Sequence, residues 1–238
     1  MYSKLATIYQ LSPNRSIRRS KVIDYIVIHC FVGQVTAARD LQVFANSDAQ
    51  ASAHYVVGYD GRIGCSVDEE YRAWTTGGSY KGKPIRVNGI SGADIDHRAI
   101  TIEVASDTTA PYAITDAAYK ALIELLVDIC KRHNIKELKW KGDKSLVGKP
   151  DQQNLAVHRW FANKSCPGDY IYARLGNIAK EVNEAMAEKY DGAEWSKEAR
   201  EWAVSKGLIS GYGNGEYGWG DGVTREQLAV ILYRMSQL

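Results

Sequence analysis

The sequence predicts a mixed α/β domain, a central β-sheet flanked by helices, followed by a small helical module. Three observations carry this. Short, apolar, β-branched runs alternate along the chain with stretches of helical periodicity, the pattern of a mixed sheet with helical crossovers. At 238 residues the chain is long enough for one medium domain plus an appendage. The character then changes after Tyr190-Asp191-Gly192, which sets the expected boundaries at 1–187, a linker over 188–193, and a module over 194–238.

Residues 22–29 are short, apolar and β-branched, which predicts a buried strand. Residues 36–47 place Ala38, Leu41, Val43 and Phe44 on a ragged apolar face and predict a helix. Ala53 to Val57 reads as a second strand, Asp60-Gly61 as a turn, and Arg62 to Val67 as its hairpin partner. Residues 75–97 are rich in Gly, Lys, Asn, Ser and Asp and read as a long surface loop. Ala99 to Val104 is another buried strand. Thr115 is an N-cap for a helix carrying Tyr119, Leu122, Ile123, Leu126, Ile129 and Cys130 and running to His133. A polar loop over 139–153 precedes a last helix from about Asp169 to Ala187. In the module, a first helix carries Trp195, Ala199, Trp202 and Ala203 and stops at Lys206-Gly207. A turn at Gly211-Tyr212-Gly213-Asn214-Gly215 leads to a second helix with a Thr224/Gln227 capping box and Leu228, Ile231, Leu232 and Met235. Some 45 residues make a marginal core, so the module is expected to dock on the main domain or to self-associate.

Hydrophobic content of 45% and charged content of 24% are ordinary for a globular chain. A net charge of +2 argues against nucleic acid as a partner, while a mild basic excess suits an anionic polymer such as a cell wall. No stretch reaches the ~18–20 apolar residues of a membrane-spanning helix. The first 20 residues lack the apolar core of a signal peptide, so synthesis in the cytosol and an exit other than the usual secretory route are expected. Cys30, Cys65, Cys130 and Cys166 are widely spaced and read as thiols or ligands rather than a disulfide framework.

His29 ends the run Tyr25-Ile26-Val27-Ile28-His29, and far downstream stands His158-Arg159-Trp160-Phe161-Ala162-Asn163-Lys164-Ser165-Cys166-Pro167-Gly168. Each of His29, His158 and Cys166 taken alone is more often a structural residue than a ligand. Together they are a ligand set for zinc, and three protein ligands leave a fourth position open, the catalytic arrangement. Glu103 lies inside the strand Ile100-Thr101-Ile102-Glu103-Val104, where a carboxylate is costly unless paired or working.

Five segments in order, Tyr25 to His29, Ala51-Ser52-Ala53-His54-Tyr55-Val56-Val57, Ala73-Trp74, Ile100 to Glu103, and His158 to Gly168, resemble the zinc-dependent N-acetylmuramoyl-L-alanine amidases. That family is similar to phage lysins of the amidase type and to animal peptidoglycan-recognition proteins. The resemblance covers residues 22 to about 187. It implies zinc held by His29, His158 and Cys166, Glu103 as general base, and Lys164 as the cation that stabilises the oxyanion. It also implies substrate contacts from His54 and Trp74, with peptidoglycan as the substrate. For His54, groove lining and packing both stand, ahead of zinc binding. Certain phage amidases carry a tyrosine where Ala53 stands here, which leaves the base role to Glu103. Relatives often have histidine after the tryptophan, where this chain has Thr75-Thr76-Gly77, so substrate contacts there differ. His97 and His133 fall outside the zinc pattern and read as surface or helix-end residues. Cys30 points to the face opposite His29 and reads as core.

Trp202-Ala203, Gly207-Leu208-Ile209-Ser210-Gly211 and Val223-Thr224-Arg225-Glu226-Gln227-Leu228 resemble one S-layer homology repeat. The resemblance implies a secondary wall polymer as a partner, with the Arg225 guanidinium meeting its acidic groups. Such repeats commonly come in threes, so a single one implies that several chains assemble into a homo-oligomer. The combined expectation is a phage or prophage endolysin. A non-catalytic peptidoglycan-binding module and a cytosolic host amidase are the alternatives. The intact set of five site residues argues against the first, and the wall-anchoring module against the second.

Overall fold

The computed structural model describes residues 2–20, 22–187, 193–212, 217–220 and 222–237. Its contacts divide the chain into two units, Met1–Met186 and Ala187–Leu238.

The first unit is built on β1 (Ala6–Tyr9), β2 (Arg15–Ile17), β3 (Tyr25–Val32), α1 (Ala37–Phe44), β4 (Tyr55–Val57), β5 (Ile63–Cys65) and β6 (Tyr71–Ala73). It continues through β7 (Ser79–Tyr80), β8 (Lys83–Pro84), β9 (Arg86–Val87), β10 (Ile90–Ser91), α2 (Gly92–Asp96), β11 (Ala99–Ser106), α3 (Asp116–Arg132), β12 (Leu155–Ala156) and α4 (Gly168–Met186). Six strands form the main sheet in the order β1-β5-β4-β11-β3-β12. The β4–β5 hairpin is antiparallel, and β4, β11, β3 and β12 run parallel. Central parallel strands are covered on both faces, which is why β3 opens as a continuous apolar run from Tyr25 to Ile28; β11 is buried too but alternates, with Thr101 and Glu103 on the face opposite Ile100, Ile102 and Val104.

Strand pleating assigns the two faces. Tyr55, Val57, Ile28, Ile102 and Val104 belong to the large core shared with Leu122, Leu125, Leu126 and Ile129 of α3 and Ile171, Leu175 and Ile178 of α4. Val56 and Phe31 turn the other way and pack on Ala37, Leu41 and Phe44 of α1. The cap on α3 is the expected one: Thr115 Oγ1 accepts from the Ala118 amide at 3.1 Å.

The long loop expected over 75–97 is instead two antiparallel ribbons, β7 with β8 and β9 with β10, followed by α2. Lys81-Gly82 and Asn88-Gly89 supply the paired positive φ angles of tight two-residue hairpins, and Ser91 and Asp94 form a capping box. β1, β2, β6 and β12 are two to four residues long, too short to show a period. Among the described residues no helix is long and apolar enough to cross a membrane.

A buried charge cluster ties the β5–β6 connection to the end of α3. Glu69 accepts from Arg132 at 2.5 and 2.7 Å, from His133 at 2.9 Å and from the Tyr55 hydroxyl at 2.6 Å. His133 is thus a helix-end residue, as expected, but a paired one. Burial pushes the Glu69 carboxyl up; His133, Arg132 and Tyr55 more than offset it and hold the group at about 2 against an ordinary 4.5. A folded value below the unfolded one means this stabilisation is complete above pH 4.5 and is lost as pH falls towards 2. Glu69→Gln leaves Arg132 with Asp128 as its remaining carboxylate and weakens the hydrogen bonds from Arg132 and His133, and is expected to destabilise the unit by about 2 kcal/mol at neutral pH. Denaturant unfolding at pH 7 and pH 3 checks this: the gap from wild type should narrow at the lower pH.

The second unit holds α5 (Lys197–Ser205) and α6 (Arg225–Met235). Trp195 precedes α5 in a short 3-10 turn rather than lying within the helix and is 89% exposed. The capping box on α6 is formed: Thr224 Oγ1 accepts from the Gln227 amide at 3.1 Å, and Gln227 Oε1 accepts from the Thr224 amide at 2.9 Å. Arg234 donates to the carbonyls of Gly207 and Leu208 at 3.2 and 3.3 Å, closing α6 onto the end of α5. Of the linker and the glycine-rich turn, residues 188–192 and 213–216 lie outside the described residues.

Candidate metal centre

The C-terminal half of β3 delivers His29, three residues before the strand ends at Val32. In the parallel register Glu103 of β11 stands directly beside it. His158 sits on the short 3-10 turn His158–Trp160 just after β12, and Cys166 ends the loop that follows. That loop is closed by the Arg159 amide, which donates to the Cys166 carbonyl at 3.1 Å. Gly168, at φ +79°, then opens α4; a Cβ there would fall 2.7 Å from Cβ of Tyr112, so the tight entry into the helix needs glycine.

These elements bring three side chains together from across the chain. The ligand atoms of His29, His158 and Cys166 lie within 4.8 Å of one another. Nδ1 of His29 is 3.3 Å from the Cys166 sulfur and 3.9 Å from Oε1 of Glu103. The two imidazoles meet edge to face at 5.1 Å. Each ring also has an outer partner. Nε2 of His29 lies 3.4 Å from the Thr76 hydroxyl, and the Gly77 backbone hydrogen-bonds to His158. Such outer partners orient ligating imidazoles.

Burial, with the charges of His158 and Lys164, pushes His29 well below its ordinary value, and burial together with Lys164 lowers His158 to about 4. Both rings are therefore neutral at pH 7, the form that binds metal. Nε2 of His158 and Oε2 of Glu103 are buried without a hydrogen-bond partner. A hydrogen bond from Cys30, burial and the Glu103 charge hold the Cys166 thiol well above its ordinary value; a bound cation inverts that balance. Orphaned nitrogen, neutral imidazoles and a thiol compose a donor set that suits zinc over magnesium or calcium. Burial also raises Glu103 well above the usual carboxylate range. Lys164 is exposed, on the same loop as Cys166, and its charge reaches both histidines and Glu103.

His54 is fully enclosed. Its Nδ1 lies 3.0 Å from the Thr101 hydroxyl, and its Nε2 is 2.7 Å from Arg18 and 3.0 Å from the Tyr71 carbonyl. Of its two readings this geometry favours packing. Trp74 is half-buried and donates to Ser16 Oγ at 3.2 Å. His97 caps the end of α2, but it is buried rather than on the surface, accepting from the Arg19 amide at 3.0 Å. Cys30 lies in the core as expected; its thiol also hydrogen-bonds to Cys166, a contact that strand alternation does not reveal.

Thr76 and Gly77 are the site residues that spacing does not disclose. Asp96, buried and raised to about 6 by its burial, holds the segment by accepting from the Thr75 and Thr76 amides. Two glycines let it approach its neighbours. A Cβ at Gly92 would stand 2.1 Å from the Thr76 carbonyl oxygen, and one at Gly78 2.4 Å from that of Phe161. The only signal in the sequence is that Thr75-Thr76-Gly77 follows Trp74 directly.

A family model described as N-acetylmuramoyl-L-alanine amidase matches residues 19–169. Among solved structures, the chain is similar to a selenomethionine derivative of AmpD, at 20% identity and a TM-score of 0.51 over 75% of this chain and 96% of that one. It is similar to a mutant of PlyL, at 14% and 0.51 over 74% and 96%. It is also similar to the PlyG catalytic domain in solution, at 14% and 0.50 over 78% and 98%. At these identities the likeness is one of fold. No curated protein matches the chain.

Proposed function

Because the chain belongs to the N-acetylmuramoyl-L-alanine amidase family, we propose that it cleaves the amide joining the lactyl group of N-acetylmuramic acid to L-alanine of the stem peptide, with zinc held by His29, His158 and Cys166. The observation that carries this reading is the convergence of the three ligand atoms beside a carboxylate, Glu103, fixed in register with His29. Zinc bound there supplies a Lewis acid and lowers the pKa of a water towards ~7.

The protein's own groups do the rest. Glu103 takes a proton from the attacking water and delivers it to the leaving amine. Lys164 places a positive charge where the carbonyl oxygen becomes negative. Thr76 and Gly77 hold the two imidazoles in orientation. Trp74 contacts substrate at the edge of the site, and His54 supports the sheet behind it. A non-catalytic binding module would have no use for a zinc ligand set with a carboxylate and a lysine beside it.

The reading is tested on purified Gram-positive walls by following turbidity together with product chemistry. New L-alanine amino termini without new reducing sugars support it; bound zinc with no cleavage of any wall transfers the argument to a binding role.

The second unit is proposed to anchor the enzyme to a wall polymer, which suits a phage or prophage endolysin, with several chains assembling to complete the binding unit. Arg225, exposed on the first turn of α6, is the residue proposed to meet acidic glycan groups. Arg225→Ala is expected to weaken wall sedimentation about tenfold, the loss of roughly 1.5 kcal/mol for a charge-assisted contact. Cleavage of a soluble muropeptide should stay unchanged. Equal loss in both assays would instead place Arg225 in the stability of the fold.

A further inference from the structure

Asp40 is fully buried in α1, and neither of its carboxyl oxygens has a hydrogen-bond partner. Its neighbours on the helix make the position anomalous. Ala37, Leu41 and Phe44 use the same buried face to pack on Ala53 and Val56, where an apolar residue would stabilise the contact. An unpartnered carboxyl there costs stability, and burial raises this one to about 8.

The sheet register shows what Asp40 faces. Val56 pairs with Glu103, and Glu103 with His29. Directly paired residues share a face of the pleat, and Val56 packs on α1, so Glu103 emerges on the α1 side of the sheet. Oε1 of Glu103 lies 3.9 Å from Nδ1 of His29, whereas Oε2 is buried and unpartnered. The Asp40 charge is felt at Glu103. Three orphaned oxygens, two on Asp40 and one on Glu103, thus lie under one helix. Buried polar groups are nearly always satisfied, and ordered water is the usual partner where protein supplies none.

We infer that Asp40 is a positioning residue for the amidase reaction: a buried water bridges its carboxyl group to Oε2 of Glu103, fixing the Glu103 side chain so that Oε1 is presented to the metal-binding groups. The inference rests on the amidase reading, and its test keeps the two separable. Asp40→Leu and Asp40→Asn are compared with wild type as full-length, metal-loaded protein, on a soluble muropeptide. Asp40→Leu should lower kcat at least tenfold with KM and zinc content unchanged, while the melting temperature rises. Asp40→Asn keeps a partner for the water and should recover most of the rate. A merely structural role moves stability without splitting kcat from KM, so an Asp40→Leu protein of wild-type kcat overturns the proposal. A crystal structure of the wild type at high resolution provides a readout independent of turnover. A water within hydrogen-bonding distance of both carboxyl groups supports the bridge even if no wall is cleaved; its absence overturns the bridge even if the enzyme is active.

Discussion

Glu103→Gln is expected to keep its zinc and to lose between about 10²- and 10⁴-fold in kcat, with KM little changed. Glutamine matches the shape of glutamate but cannot accept a proton at neutral pH. The substitution therefore isolates proton transfer from packing. The position favours this test. Glu103 lies between β3 and β4 in the centre of the sheet, its side chain is only 14% exposed, and its ion-pair neighbour among the described residues is the neutral His29 ring at 3.9 Å. A neutral amide there removes a buried carboxyl group without stranding a positive partner, so the fold should be at least as stable as wild type. The measurements are release of L-alanine amino termini from purified walls and zinc per chain. A fully active variant would remove Glu103 from the reaction.

Cys166→Ala is expected to lower zinc affinity well over 100-fold, more than the 10–100-fold typical of losing an outer partner of a ligand. It should also abolish the stabilisation that the metal confers. For a ligand at 1,000 times its Kd that linkage is about 4 kcal/mol, or roughly 8–16 °C of melting temperature in a domain of this size. Wild type should therefore melt lower when a chelator is added, and the variant should melt at the chelated value with or without it. The geometry makes the effect specific to the metal. Cys166 is partly buried on a loop whose other ties, the Arg159 amide to the Cys166 carbonyl and the Arg159 side chain to Ser165 and Asp169, survive truncation of the thiol. A variant whose melting still responds to chelator as wild type does would show that the metal is held elsewhere.

Legibility followed the physical range of each signal. α3 was written in a 3.6-residue period with Thr115 as its cap, and both are local. The ribbons within 75–97 were also local, in Lys81-Gly82 and Asn88-Gly89, but polar composition masked them as loop. β1, β6 and β12 exist because β5, β2 and β3 offer them hydrogen-bonding edges, and no period of their own announces them. Among the site residues, His29, His158 and Cys166 could be singled out as chemically unusual at their positions. Thr76 could not, since a threonine after a tryptophan becomes informative only when Asp96, Gly92 and Gly78 pin it against His29.

The sequence by itself determined the fold class, the order of the principal strands and helices, and a ligand set whose residue types already favour zinc. Those follow from hydrophobic periodicity, capping chemistry and donor softness, which are properties of a few neighbouring residues or of a residue type. Only the tertiary structure decided that Glu103 stands in register with His29, that Cys30 touches Cys166, that His54 is sealed by Arg18, Thr101 and Tyr71, and that Asp40 lies beneath the sheet on the side of Glu103. Register between parallel strands and the seating of a helix on a sheet are set by packing between segments tens of residues apart, and no local pattern encodes which buried group meets which.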